Sequence, residues 1–406
     1  MTGLVLFAEG RMLPEHVPDQ KKIKVSVTMD LEQPNVFTAA PFHLCLVRHF
    51  RTSSSPDPDE ASLEMNLSND IVHLRPRGIP SPSEGFPVVK EDDPSDLDQL
   101  RSKSCCSWGP FLRRRSSGRI SDLPPPPPKV GDLRSFNPTL LRHPSFCASF
   151  HMKDPNELPE TTRKRGIDVG VCIILESADG FLLLTRRALH MRTFPGVWVS
   201  PGGHIESGES MVKAGLRELA EETGLVLTEG CCHCCILGLW ESHFPPSLAQ
   251  GLPTRHHVVV YIHTLSVNEN RNELQQRIKL DPEEVAASAW IPHSYVRAMF
   301  DPKVKPEELM PPEHEVTLAD PLGQRPGVVE SKVFLESRAE IDHRLSTGTR
   351  YALQLWYEKN KKVIDSEPKK QSAGCDNDPE NHDEGNSPIP VQTEDNSGVF
   401  DSCGVS

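Results

Sequence analysis

Gly203-His-Ile-Glu-Ser-Gly-Glu209-Ser-Met-Val-Lys-Ala-Gly-Leu-Arg217-Glu218-Leu-Ala-Glu221-Glu222-Thr-Gly224-Leu225 is the stretch from which the fold of this chain can be read. Gly202 and Gly203 end an extended run and permit a tight turn. From about Ser210, the apolar residues Val212, Leu216 and Leu219 recur at i, i+4 and i+7, which is one face of a helix. At about 100° per residue, Glu218, Glu221 and Glu222 point away from that face. Gly224 stands where a helix C-cap belongs. The expectation is a short helix with a buried apolar side and three carboxylates within one turn.

Three carboxylates that close repel one another. Hard oxygen ligands on one rigid element suit Mg²⁺ or Mn²⁺, and a bound cation removes the repulsion. The stretch also fits G-x5-E-x7-R-E-U-x-E-E-x-G-U at every fixed position, from Gly203 and Glu209 through Arg217 to Gly224 and Leu225. This pattern resembles the Nudix box, the signature of hydrolases acting on nucleoside diphosphates linked to another moiety. The resemblance implies Glu218 and Glu222 as ligands of Mg²⁺ or Mn²⁺, with Glu221 a further ligand or the general base. It gives Glu209 a supporting role, through water or Arg217, and makes Arg217 the group that orients the carboxylates. Gly202 and Gly203 would let backbone amides approach the phosphates. Family members often place an extra catalytic base outside the box; Glu284 is the first candidate here and Glu241 its rival.

Around the box the sequence reads as strands. Ile167–Leu175 and Phe181–Thr185, joined by Ser177-Ala-Asp-Gly180, form an expected hairpin. Further strands are expected at Gly196–Ser200, Cys235–Trp240, His257–His263, Val285–Ile291 with Trp290 in the core, and Val328–Leu335. Helices are expected at Ser294–Phe300 and Arg350–Glu358. This order gives an α/β/α sandwich around a mixed β-sheet, and the Nudix resemblance implies the same arrangement.

The chain has 406 residues, of which 36% are hydrophobic and 6% aromatic, with 38 prolines. That is too little apolar material for one continuous globule, so long disordered segments are expected to flank the domain. The division expected is a small N-terminal β element at 1–50 and a Pro/Ser-rich low-complexity linker at 51–162. A hydrolase domain with a C-terminal extension follows at 163–362, then an acidic disordered tail at 363–406. Within the linker, Pro124–Pro128 should form a stiff polyproline II segment and is a candidate SH3 or WW ligand. Arg113-Arg-Arg-Ser-Ser117 resembles a kinase site. A net charge of −13 argues against electrostatic capture of nucleic acid by the chain as a whole.

Eleven cysteines, an odd number, with no secretory h-region in Met1–Met12, point to an intracellular, reducing compartment. The cytoplasm is the first expectation, with the nucleus open. No apolar stretch approaches membrane-spanning length. Cys231-Cys-His-Cys-Cys235 invites a zinc reading, but adjacent pairs this close do not easily wrap one tetrahedral ion.

Flanking loops choose the substrate. Trp240, with Arg255, His256, His257 and Tyr261, could stack a base and contact phosphate. Leu183–Gly196 partly resembles the signature before the box in coenzyme A diphosphatases, but Ser200 replaces its Phe. A narrower resemblance within the family rests on Gly166–Gly170, Leu182–Arg187, Leu237–Ser242, Gly251-Leu-Pro, His256-His257 and Ser346–Thr349. It implies hydrolysis of N7-methylguanosine-capped RNA at its 5′ end, releasing N7-methyl-GDP. A coenzyme A or acyl-CoA diphosphatase and a non-catalytic nucleotide-binding protein are the alternatives.

Overall fold

Apolar residues recurring every second position lay most of the domain out as strands. In the computed structural model the described residues are 22–29, 36–53, 55–78, 137–228, 230–320, 322–335 and 344–366. Pro124–Pro128, Arg113–Ser117 and residues 367–406 lie outside them, while 363–366 of the expected acidic tail are the end of a helix.

The N-terminal part gives β1 (Lys24–Thr28), β2 (Phe37–Ala39), helix α1 (Leu46–Phe50), β3 (Glu60–Ser68), β4 (Ile71–Pro76) and β5 (Asn137–Arg142). Next come β6 (Asp168–Glu176), β7 (Phe181–Arg187), β8 (Trp198–Val199), β9 (Gly202–His204) and the box helix α2 (Met211–Thr223). The rest is β10 (Cys232–Phe244), β11 (Arg255–Ser266), α3 (Arg271–Arg277), β12 (Val285–Pro292), α4 (His293–Phe300), β13 (Glu313–Asp320), β14 (Gly323–Glu330) and α5 (Thr347–Ser366). Several one-turn helices connect them. Among the described residues, no helix is long and apolar enough to cross a membrane.

All these strands join one mixed sheet, in the order β14-β13-β12-β7-β6-β11-β10-β5-β3-β4-β1-β2 with β8 and β9 at the side. A further pairing joins β1 to β6 at Lys24↔Asp168, flanked by hydrogen bonds from Val25 N to Ile167 O (3.0 Å) and from Val169 N to Ile23 O (3.2 Å). Strands β1, β4, β3, β5, β10, β11 and β6 thus close a ring. β3 takes β4 on one edge, with Leu63↔Pro76, and β5 on the other, with Met65↔Asn137.

Three expectations are corrected here. Residues 60–76 and 137–142 are strands, not linker. Ala61, Leu63 and Met65 alternate inward and are buried, and this short alternation lies next to Ser/Pro-rich sequence. Residues 24–50 are not a separate element either. One apolar cluster runs from Val25, Leu46, Leu63 and Leu74 through Val171 and Ile173 to Val212 and Leu219 of the box helix. The expected hairpin of β6 and β7 also differs. The two strands share a single pair, Glu176↔Leu182, then β6 runs parallel to β11 while β7 pairs antiparallel with β12. Strands buried on both faces carry continuous apolar runs, which do not specify a partner.

The sandwich is completed on the other face. There, Trp198, Tyr295, Phe334, Leu353 and Trp356 form a second cluster, which holds α4 and α5 against β7, β10 and β12. α5 is longer than the span expected for it.

Candidate active site

Ser210 caps the box helix by accepting from Lys213 N at 3.1 Å, and Gly224, at φ 71°, ends it in the left-handed conformation. Val212, Leu216 and Leu219 are buried as the helical spacing requires. β9 lies along β6 through Gly170↔His204, Val171↔Gly203 and Cys172↔Gly202, and so runs over the carboxylate end of the helix. Gly202 sits at φ 158°, and a Cβ there would fall 2.1 Å from Val171 O. A Cβ on Gly203 would fall 2.4 Å from a Glu218 carboxylate oxygen. Only glycine allows the backbone this close to the acidic cluster.

Arg217 organises that cluster. Its Nε donates to Glu209 Oε1 (3.1 Å), Nη1 to Glu218 Oε1 (3.1 Å) and Glu221 Oε2 (2.9 Å), and Nη2 to His204 O (2.8 Å). One guanidinium therefore ties three box carboxylates to the β9 backbone. Glu221 is exposed, but Glu222 departs from the solvent-facing position expected for it. It is 4% exposed, accepting from Gly202 N and from the Thr185 hydroxyl, each at 3.3 Å. The physical reason is that β9 and β7 cover this part of the helix. Burial pushes the Glu222 carboxyl up to about 8, against the hydrogen bond from Gly202 and the charge of Arg187. Burial also raises Glu218, with Arg217 opposing. A buried acid, a half-buried one and an exposed neighbour offer hard oxygens that a divalent cation fits, and its charge would offset the desolvation.

Glu284 ends the loop before β12, where Ala188 N donates to its carbonyl at 2.8 Å. Its side chain is exposed, and its charge acts on both Glu218 and Glu222. Glu241 is elsewhere. It is fully buried, accepting from Leu46 N (2.8 Å), Val47 N (3.2 Å) and His256 Nε2 (3.1 Å). It therefore does not serve as the rival base.

Beside Gly202 and Gly203 opens a cavity of about 250 Å³, lined among others by Trp240, Tyr261, Phe194, His257 and Arg187. Trp240 packs on Tyr351 with ring centroids 5.5 Å apart. His256, expected to meet substrate, instead faces the opposite way. Its Nδ1 lies 2.6 Å from Phe42 O and the residue is 1% exposed. Successive strand residues alternate faces, so His257 takes the cavity side. Arg255 shares that side and is exposed, and its charge acts on His204 and His257. Burial lowers His257 to about 3 and brings His204 below its ordinary value, so both rings are neutral at neutral pH. Thr185, Arg187 and His204 were not singled out from the sequence. The period-2 pattern of β7 was the available signal, but it does not show which face looks into a cavity.

Comparison with known proteins agrees with this geometry. The NUDIX domain model matches residues 165–310. The m7GpppN-mRNA hydrolase NUDT17 of Danio rerio is 42% identical over 239 residues, covering 56% of this chain and 79% of that protein. The Homo sapiens protein of the same name is 37% identical over 266 residues, covering 60% of this chain and 81% of its own length. An isopentenyl-diphosphate Delta-isomerase of Mycolicibacterium vanbaalenii is 30% identical over 128 residues, covering 31% of this chain and 62% of that protein. Identity of the first order across most of a relative's length, joined to a complete box on a helix of the expected shape, makes this chain a member of the Nudix hydrolase family.

Proposed function

We propose that the chain hydrolyses the triphosphate bridge of N7-methylguanosine-capped RNA, releasing N7-methyl-GDP and leaving a 5′-monophosphate on the RNA. The observation that carries this reading is the aromatic cavity adjoining the box. Trp240, Tyr261 and Phe194 line one space with Arg187, next to Gly202 and Gly203. Aromatic faces attract a methylated, cationic purine, and the glycines leave room for phosphates. The relatives at 42% and 37% identity carry the name m7GpppN-mRNA hydrolase.

Glu218, Glu221 and Glu222 would hold Mg²⁺ or Mn²⁺. A divalent cation bound there supplies Lewis acidity toward phosphoryl oxygens and toward water. The chain's own groups do the rest. Arg217 fixes the carboxylates through its forked hydrogen bonds to Glu209, Glu218 and Glu221. Arg187 and Arg255 offset phosphate charge at the cavity, and the neutral His204 and His257 offer hydrogen bonds without added charge. Glu284 takes the proton from the attacking water as the new P–O bond forms and the bridging P–O bond breaks.

The test is a substrate panel. The chain is incubated with Mg²⁺ or Mn²⁺ and RNA labelled in the cap phosphates, coenzyme A, ADP-ribose or a dinucleoside polyphosphate. Labelled N7-methyl-GDP is the expected product. Turnover of coenzyme A or ADP-ribose with capped RNA untouched would overturn the substrate assignment.

A further inference from the structure

A second group of potential metal ligands lies away from the box. Cys45 precedes α1, His143 and Cys147 follow β5, and Glu241 comes from β10. Their ligand atoms all lie within 4.8 Å of one another, and all four residues are buried. Cys45 Sγ is 3.7 Å from His143 Nδ1 and 3.7 Å from Glu241 Oε2. A tetrahedral ion with zinc–sulfur bonds of about 2.3 Å and zinc–nitrogen bonds of about 2.05 Å needs ligand-to-ligand edges of about 3.5–3.8 Å.

The surroundings suit a metal as well. His143 presents Nδ1 to the thiols, while its Nε2 lies 3.5 Å from the Asp59 carboxylate. Nε2 makes no hydrogen bond at that distance, so the Asp59 carboxylate acts on the ring through its charge. Glu241 Oε1 is engaged by Leu46 N and His256 Nε2, and Oε2, which also accepts from Val47 N at 3.2 Å, lies on the side of the thiols. Both cysteines are free thiols.

We propose that Cys45, His143, Cys147 and Glu241 bind one Zn²⁺ that clamps the N-terminal strands to β10. Two sulfurs, one nitrogen and one carboxylate oxygen select zinc over Mg²⁺ or Mn²⁺, which favour all-oxygen sites. Binding releases the thiol protons to solvent. His243 Nδ1, 3.8 Å from Cys147 Sγ, stands behind the site, with Nε2 hydrogen-bonded to Ser149 Oγ at 2.7 Å. The site is independent of the decapping reading, because it shares no residue with the box. Glu241 directly follows Trp240, so the clamp also steadies one wall of the substrate cavity.

The experiment measures metal bound to the full chain, expressed with zinc present and dialysed against EDTA. Elemental analysis should find about one zinc per chain, and exchange for Co²⁺ should give a thiolate-to-cobalt charge-transfer band. Glu222→Gln and the Cys232→Ser/Cys234→Ser double variant should keep the zinc, while His143→Gln and Cys147→Ser should lose it. An unmodified chain without zinc, or a cobalt spectrum without the thiolate band, overturns the proposal whether or not the variants fold. Zinc lost in Glu222→Gln or in the Cys232/Cys234 variant but kept in Cys147→Ser also overturns it.

Discussion

Arg217 Nη1 donates to Glu218 Oε1 at 3.1 Å, so a cationic side chain braces one of the carboxylates assigned to the cation. The same guanidinium reaches Glu209, Glu221 and the His204 carbonyl. A lysine ammonium cannot reproduce that fork. Arg217→Lys should therefore weaken Mn²⁺ binding or turnover by about 10–100-fold, the usual cost of losing a group that orients metal ligands. Calorimetric titration with Mn²⁺ checks this, with circular dichroism to confirm the fold; an unchanged affinity would refute the bracing role.

Gly203→Ala tests the close approach of β9. The added methyl would lie 2.4 Å from a Glu218 oxygen, so the carboxylate must swing aside. Metal affinity and kcat should fall together while the melting temperature changes little, because the clash meets a side chain rather than backbone. Normal metal binding in this variant would show that the position of Glu218 is unimportant.

For the base, Glu284→Gln should lower kcat by about 10²–10⁴-fold with KM nearly unchanged, and should remove the acid limb of the pH–rate profile. Glu241→Gln should behave differently. It leaves a buried hydrogen-bond network half satisfied, so its main effect should be on stability. A kinetic pH series on both variants separates the two residues.

A fourth prediction concerns pH and stability. Glu176 Oε2 accepts from Trp356 Nε1 at 2.9 Å and lies 2.7 Å from His263 Nε2. Burial opposes charge on both partners. Hydrogen bonds that its ring makes to Cys235 and Glu176 nonetheless raise His263 to about 9, and those donated by His263 and His293 hold Glu176 far below its ordinary 4.5. The raised histidine contributes stability fully below its ordinary 6.5 and loses it as pH climbs through about 9. The lowered carboxylate contributes above 4.5 and loses it only as pH falls through its depressed value. Glu176→Gln should cost about 3–5 kcal/mol between those limits. Its melting-temperature deficit against the unmodified chain should shrink above about pH 9; a deficit constant across that range would count against the ion pair.

The box helix was legible because its signal is local. Val212, Leu216 and Leu219 share a face by chain spacing alone, and Ser210 and Gly224 mark its ends. The strands around Trp240 and Trp290 were legible in the same way. Long-range placement was not. The burial of Glu222 depends on β9 folding over it, and β9 is held by β6, which lies some thirty residues earlier in the chain. The choice of His257 over His256 follows from the face that β11 presents, and a strand reads the same when flipped. The partner of β6 was hidden because a fully buried strand is apolar on both sides. Glu60–Ser68 carried its alternation openly, but the composition of the wider window outweighed it.

The edges of β3 have a practical consequence. β4 and β5 flank it, and their pairs Leu63↔Pro76 and Met65↔Asn137 place Pro76 and Asn137 two residues apart along β3, with β4 leaving toward Glu60 and β5 arriving from the Ser68 side. Two strand spacings, roughly 10 Å, and an offset of two residues along β3 separate these points, and parallel strands need a connection longer than a tight turn. Because closure entropy grows only with the logarithm of loop length, the connection from β4 to β5 is a natural grafting port. A reporter domain inserted there should leave the hydrolase scaffold in register.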